Sequence, residues 1–536
     1  MSRKRGGQIG RFGVGVKSVL VVTNTPEFFS RTGSFGFDRA WSREQIRDVP
    51  GVRERYGDDF EAPVLRMARP LDERTERATD PVLDELLNWA TTVVRLPLLP
   101  GADKRLGLDM HGGRARVGGE HREEFPLGFQ LFSPHVAEVV LEDRRVSPPA
   151  HRVLTTTRRG DLHTVNETRP GKPELTDRWR VFTVGHEPGA EARKDAGELH
   201  DRVSLDVSWA VPALELDAER GVFGNTKARG RGRFWSFFPT KYEMSLSGIL
   251  NGAWKTNEDR QNLLDSSPFN QEMVKVSAAL VVDALPSLAP DEDPAAYLPL
   301  LPGRVKEAIS WADESLTREI WARAAVRPSL PDQDGILRIP TELRVHPRFD
   351  KDQKRLAGWL RMWHDCPGRP SNWLHPSAEA DVLRSGQVEH ILGAAGHGRT
   401  DVREWLEALV ESGSVESSAV AVRILADMIE MRSPYVEEAR KARIVLTEEH
   451  GLVAPVHGRV FRRTDQGGLR ESLVYVADGI AQDLSLTHSL NVLGIREADV
   501  EGRFVSVLDQ GFDGYGDTQW ERFWELFRQA GGRRLA

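Results

Sequence analysis

The chain has 536 residues, a net charge of −7 and 29% charged residues; it is long for a single core and lacks the basic surplus that recruits nucleic acid or an anionic membrane. Its one cysteine, Cys366, excludes an internal disulfide and a cysteine-built zinc cluster, so the thiol reads as buried or incidental. No apolar run reaches the roughly 20 residues that span a bilayer and the N-terminus lacks a signal-peptide core, so no membrane partner and a cytoplasmic location are expected.

The first informative stretch is Gly10, Arg11, Phe12, Gly13, Val14, Gly15, Val16, Lys17, Ser18. Three glycines without a Cβ let the backbone bring several N–H groups to one anion, and a helix starting near Val16 would add its positive end. The P-loop spacing is missed by one residue, because Val16 stands between Gly15 and Lys17-Ser18. The Rossmann spacing fails too, since the order is Gly-x-x-Gly-x-Gly and no strand fits ahead of it. Spacing alone leaves nucleotide binding and an ordinary glycine-rich turn both open.

Next, the β-branched run 91–98 reads as a strand, and Pro100-Gly101 as a turn. Residues 125–132 begin another unit, in which the alternating runs 136–141, 179–184 and 203–211 read as strands mixed with helices. The basic glycine-rich run 227–233 suits a solvated hairpin tip better than a nucleic-acid contact, given the acidic whole. Thr256 with Asp259 has the capping-box spacing, which predicts a helix starting there with Arg260 in its first turn. A cation at that place opposes the helix dipole and answers either a bound anion or the neighbouring Glu258 and Asp259. Residues 289–294, Ala-Pro-Asp-Glu-Asp-Pro, read as a linker into a helical region. There, Ala308, Trp311, Leu316, Ile320 and Trp321 roughly share one helical face and Trp405, Leu406, Leu409 and Val410 another. Trp520, Phe523, Trp524 and Phe527 form an aromatic stripe on a terminal helix, expected to pack on the chain's own core, with a protein partner or client as the alternative. The fifteen histidines show no ligand spacing, and no metalloprotease, nucleophile-elbow or EF-hand pattern occurs.

Residues 9–18 resemble the lid motif of the GHKL ATPase superfamily, closest to the ninety-kilodalton heat-shock chaperones, and the continuation 26–39 looks like bacterial relatives of the sacsin-type ATP-binding domain. The resemblance implies that Gly10, Arg11, Phe12, Gly13, Val14, Gly15, Lys17 and Ser18 cap the phosphates of ATP with Mg2+. It also implies that Thr91, with Thr92 as the alternative, lies near the nucleotide. It places Arg260, with Lys255 on the same approach, as catalytic cations reaching the γ-phosphate. The implied fold is α/β (α+β): the back half of a GHKL (Bergerat-type) sandwich over 1–100, an α/β middle domain over 101–290 and a mostly helical region over 291–536. In the superfamily the lid follows a helix bearing a catalytic Glu and a Mg-holding Asn and an Asp-x-Gly-x-Gly turn that reads adenine, none of which this sequence contains. The expectation is therefore an N-terminally shortened ATP-binding, chaperone-like remodelling protein that does not hydrolyse ATP by itself. The alternatives are a non-catalytic interaction module and a DNA-processing protein of the MutL or gyrase kind.

Overall fold

The computed structural model describes residues 19–57, 60–104, 110, 115–117, 120–122, 125–197, 203–217, 222–224, 232–257, 262–349, 353–456, 459–463, 473–510, 512–529 and 531. Helix and sheet are both major components, the coarse α/β class. The chain divides into two compact units, the first built from residues 1–212, 235–240 and 250–273 and the second from 213–234, 241–249 and 274–536.

The first unit contains a four-stranded sheet of β1 (Glu27–Ser30), β2 (Phe35–Phe37), β3 (Ala68–Pro70) and β4 (Thr92–Arg95), in the order β3-β2-β1-β4. All its pairings are antiparallel, with Glu27 opposite Arg95 and Ser30 opposite Thr92. Strand periodicity separates the phenylalanines: Phe28 stacks on Phe35 and Phe37 meets both edge-on, while Phe29 is fully buried with Leu83 and Val93. The helices on this sheet, α2 (Glu73–Thr79) and α3 (Pro81–Leu87), are capped by Asp72 and Asp80, and Pro81 sits where a helix has no N–H to lose. α1 (Arg39–Arg47) begins likewise at Asp38.

A larger antiparallel meander follows: β5 (Glu138–Asp143), β6 (Ala150–Arg159), β7 (Leu162–Thr168), β8 (Leu175–His186) and β9 (Leu205–Pro212), with β10 (Ile249–Asn251) beside β9. Strands form over the expected runs 136–141, 179–184 and 203–211, with few helices among the described residues between them. Consecutive strands pair directly, as where Arg159 faces Leu162 across Gly160 at φ 61°, and such hairpins leave no room for crossover helices. Among the described residues, α4 (Ala190–Asp195) is the helix between β8 and β9. Burial alternates along β6 and β7 and becomes nearly continuous on β9, whose Trp209, Ala210 and Val211 are fully enclosed.

The second unit is mainly helical: α6 (Trp311–Ala324), α7 (Gln353–His364), α8 (Val382–Ala395), α9 (Val402–Leu409) and α10 (Val415–Glu430). Ser310, Asp381, Asp401 and Ser414 cap four of them through a side-chain oxygen on a first-turn N–H. Trp359, Trp363, Trp373, Trp405 and Phe349 fill a core closed by Leu406, Leu409 and the apolar face of α10. Both helical stripes read from the sequence are thus core faces, with Leu316, Ile320, Leu406 and Leu409 fully buried. The linker expected at 289–294 is not one from Asp293 onward: the side chains from Asp293 to Leu298 are buried, and Asp293 accepts two 2.7 Å hydrogen bonds from Arg384. The aromatic stripe lies on α12 (Asp517–Gln529), where Phe523 and Phe527 pack on Phe504 of α11 (Val500–Gln510), while Trp524 remains 52% exposed.

Candidate functional site

Residues 10–18 and Arg260 lie outside the described residues. Of the residues singled out by sequence, the structure therefore places Thr91 and Lys255, both in the first unit. Thr91 is exposed just ahead of β4, and Thr92 opens the strand opposite Ser30. At the other end of β4, Arg95 donates to Glu27 at 2.6 Å, to Asp80 at 3.2 Å and to Glu76, so one guanidinium joins β1, β4 and both helices. The hydrogen bonds to Asp80 from the N–H groups of Leu83 and Val82 and from Arg95 hold its carboxyl below the usual range, against a smaller desolvation.

Lys255 sits in a second arrangement, made where residues 235–240 and 250–257 meet the start of α5 (Pro268–Ala284). Its ammonium donates 2.5 Å bonds to the Asp195 carboxylate and backbone carbonyl at the end of α4. Asp195 also accepts from the Ser267 hydroxyl and from the Phe269 N–H at 3.3 Å. Burial raises the carboxyl's pKa, but these donors outweigh it and hold Asp195 below the usual range. The Ser267 oxygen in turn accepts from the Asn270 N–H at 3.2 Å, so the start of α5 is anchored by a side chain from far back in the chain.

Asn270 is fully buried and saturates three groups of its own side chain: its oxygen accepts from the Lys255 N–H at 2.8 Å, and its amide donates to the carbonyls of Lys255 at 2.7 Å and Leu264 at 2.9 Å. The described residues it grips are not helical. Thr256 and Leu263 form an antiparallel bridge, Asn257 and Asn262 bond across it, and the helix begins at Pro268. The expected helix start at Thr256 is corrected accordingly. The Thr-x-x-Asp spacing is a local signal, whereas Thr256 is committed to a bridge with Leu263 and the adjacent Lys255 and Leu264 are held by Asn270.

A second asparagine, Asn251, accepts from the Phe237 N–H at 2.8 Å and holds that residue at φ 64°, a left-handed conformation rare for a bulky side chain. The next residue, Phe238, is 46% exposed and stacks on Phe129 with centroids 5.0 Å apart. Strain of this kind persists where the surroundings over-determine the backbone, here through the Asn251 bond. On the opposite side, His186 donates to Glu272 at 2.6 Å and Glu272 also accepts the Gly189 N–H at 2.8 Å.

The arrangement ties a loop to the start of α5 through Asp195, which takes both the Lys255 ammonium and the Ser267 hydroxyl. Neither Asn251 nor Asn270 was singled out from the sequence, and the one signal available was their presence in apolar surroundings. In the basic run 227–233, residues 227–231 lie outside the described set, and Gly232 is needed for packing, since a Cβ there would stand 2.1 Å from the Leu246 carbonyl oxygen. Among the described residues no cluster suited to a metal ion occurs, and no helix is long and apolar enough to cross a membrane. No protein family, no curated protein and no solved structure matches the chain.

Proposed function

We propose that the chain is an ATP-binding, chaperone-like remodelling protein of the sacsin-type GHKL kind, in which residues 10–18 hold the nucleotide phosphates, with Mg2+, and closure of that loop drives domain movement. The observation that carries the reading is the glycine-rich run with Lys17 and Ser18 in the sequence ahead of an antiparallel sheet backed by two capped helices, whose strand β4 opens on Thr92, next to Thr91. Lys255, five residues before Arg260 in the sequence, is held by Asp195 and Asn270, and the two cations are the groups proposed to meet the γ-phosphate. Binding, and not hydrolysis by this chain alone, is the activity proposed.

The test is a calorimetric titration with Mg-ATP and with a non-hydrolysable analogue. Gly13→Asp should abolish binding by placing a carboxylate among the phosphate-facing amides, and Arg260→Ala should weaken it about tenfold. No heat from the folded wild-type chain would sink the reading. The second reading, a non-catalytic interaction module, would then stand, and it draws on the exposed Trp520 and Trp524 of α12.

A further inference from the structure

In the second unit, α6 and α8 pack against each other and leave an open groove of about 570 Å³ at the surface, near the short helical turn Val305–Glu307. Its floor is narrow and apolar because the two helices present Ala322 and Ala394 there, both exposed and small. One wall is aromatic, with the rings of Trp321 and His390 5.5 Å apart and tilted. The Trp321 indole is fixed by a bond to the Gly303 carbonyl at 3.4 Å, so the wall is set before anything enters.

Three cations line the same groove: Arg304, Lys306 and Arg318. Two have surface carboxylate neighbours, Arg304 with Glu307 at 3.9 Å and Arg318 with Glu314 at 2.5 Å, but both arginines remain more than half exposed, at 71% and 65%. Exposed pairs of that kind contribute little and exchange readily for a better anion. Burial, with the Arg304 charge beside it, lowers the His390 pKa, so the ring is neutral near pH 7 and can offer an apolar face. A chain of net charge −7 thus concentrates cations around one small apolar trough.

Volume and lining together specify a ligand class. A space of about 570 Å³ falls in the range of small-molecule sites and suits one fused ring system. Its walls favour a flat apolar body, and its rim favours a negative charge at that body's edge, where a guanidinium can meet carboxylate or phosphate oxygens in pairs.

We propose that the groove between α6 and α8 is a binding site for a flat aromatic anion, its ring lying on Ala322 and Ala394 against the Trp321–His390 wall and its acid group held by Arg304, Lys306 and Arg318. The groove belongs to the second unit, whereas residues 10–18 belong to the first.

The test uses titration calorimetry of the full chain carrying Gly13→Asp, so that nucleotide bound at residues 10–18 is not counted. Two whole probes, 2-naphthoate and adenosine 5′-monophosphate, are compared with two halves, 2-naphthamide and acetate. At least one whole probe should bind at roughly millimolar affinity or better, and at least about tenfold more tightly than either half. Naphthoate alone would assign carboxylate ligands, and the nucleotide alone would assign phosphate ligands. The pair Lys306→Glu and Arg318→Glu should cost tenfold or more, and Ala394→Trp should block the groove. All three positions are exposed, so the fold should be unaffected, as circular dichroism would verify. Failure of both whole probes, equal binding of naphthoate and naphthamide, or unchanged affinity in Ala394→Trp would each overturn the proposal.

Discussion

His375 shows how single residues set the pH response of the second unit. Burial, with His364 4.8 Å away, lowers its pKa to about 4, and complete burial lowers that of His346 to about 3. His364, hydrogen-bonded to Gln333, is shifted the same way by burial. These rings are neutral in the folded chain, whereas the unfolded chain binds protons below about pH 6.5. The unfolded state therefore binds more protons as pH falls, and stability should decline from about pH 6.5 downward. Urea unfolding followed from pH 7 to pH 5 should show that decline, and His375→Gln should flatten it by about 1.4 kcal/mol per pH unit. The depressed carboxyls act in another window: Asp80, Asp195 and Glu167 contribute fully above the ordinary carboxylate range, and their share is lost as pH falls through it, below about pH 4. Lys255→Met leaves Asp195 short of its main cation and should lower stability by about 1–3 kcal/mol. If Lys255 also reaches the nucleotide, ATP affinity should fall along with the melting temperature.

Among elements, the non-local ties decide the outcome. Asn270→Ala removes three hydrogen bonds from a buried position and should cost about 2–3 kcal/mol in thermal unfolding. Arg384→Met strands the carboxylate of Asp293 and should cost about 3–5 kcal/mol, much of which Asp293→Leu in the same chain should restore. Such ties also explain what the sequence could reveal. The stripes of α6 and α9 and the aromatic face of α12 repeat every three or four residues, so periodicity alone exposed them. Asp293 hid within an acidic, proline-flanked run that looks solvated, because its partner lies 91 positions away. Lys255 looked available for phosphate because Asp195, 60 positions earlier, is invisible to local spacing. Thr256 kept a capping signal that a bridge to Leu263 overrides. The glycine-rich run 10–18 is written in consecutive residues, but it lies outside the described residues.

At the scale of the whole molecule the chain passes back and forth between its units, contributing 235–240 and 250–273 to the first after the second has begun at residue 213. A fragment ending at 212 would lack Phe238, which stacks on Phe129, and Trp235, which meets Phe132 at 5.9 Å. It would also lack Lys255 and Ser267, the partners of Asp195. Residues 1–273 should therefore unfold cooperatively, whereas residues 1–212 should show a broad, weak transition and bind a hydrophobic dye. Equal cooperativity in both would contradict the interleaved division.

That path also bears on how the protein is made. A ribosome delivers residues in order at about 5–20 per second, so the long sheet β5 to β9 emerges well before the segments that complete its unit. Until residue 273 has left the exit tunnel, Trp209 and its neighbours on β9 have no finished setting. Nascent chains stalled before and after that point should differ sharply in protease resistance, and a cell making this protein must shelter that unfinished sheet for several seconds in each round of synthesis.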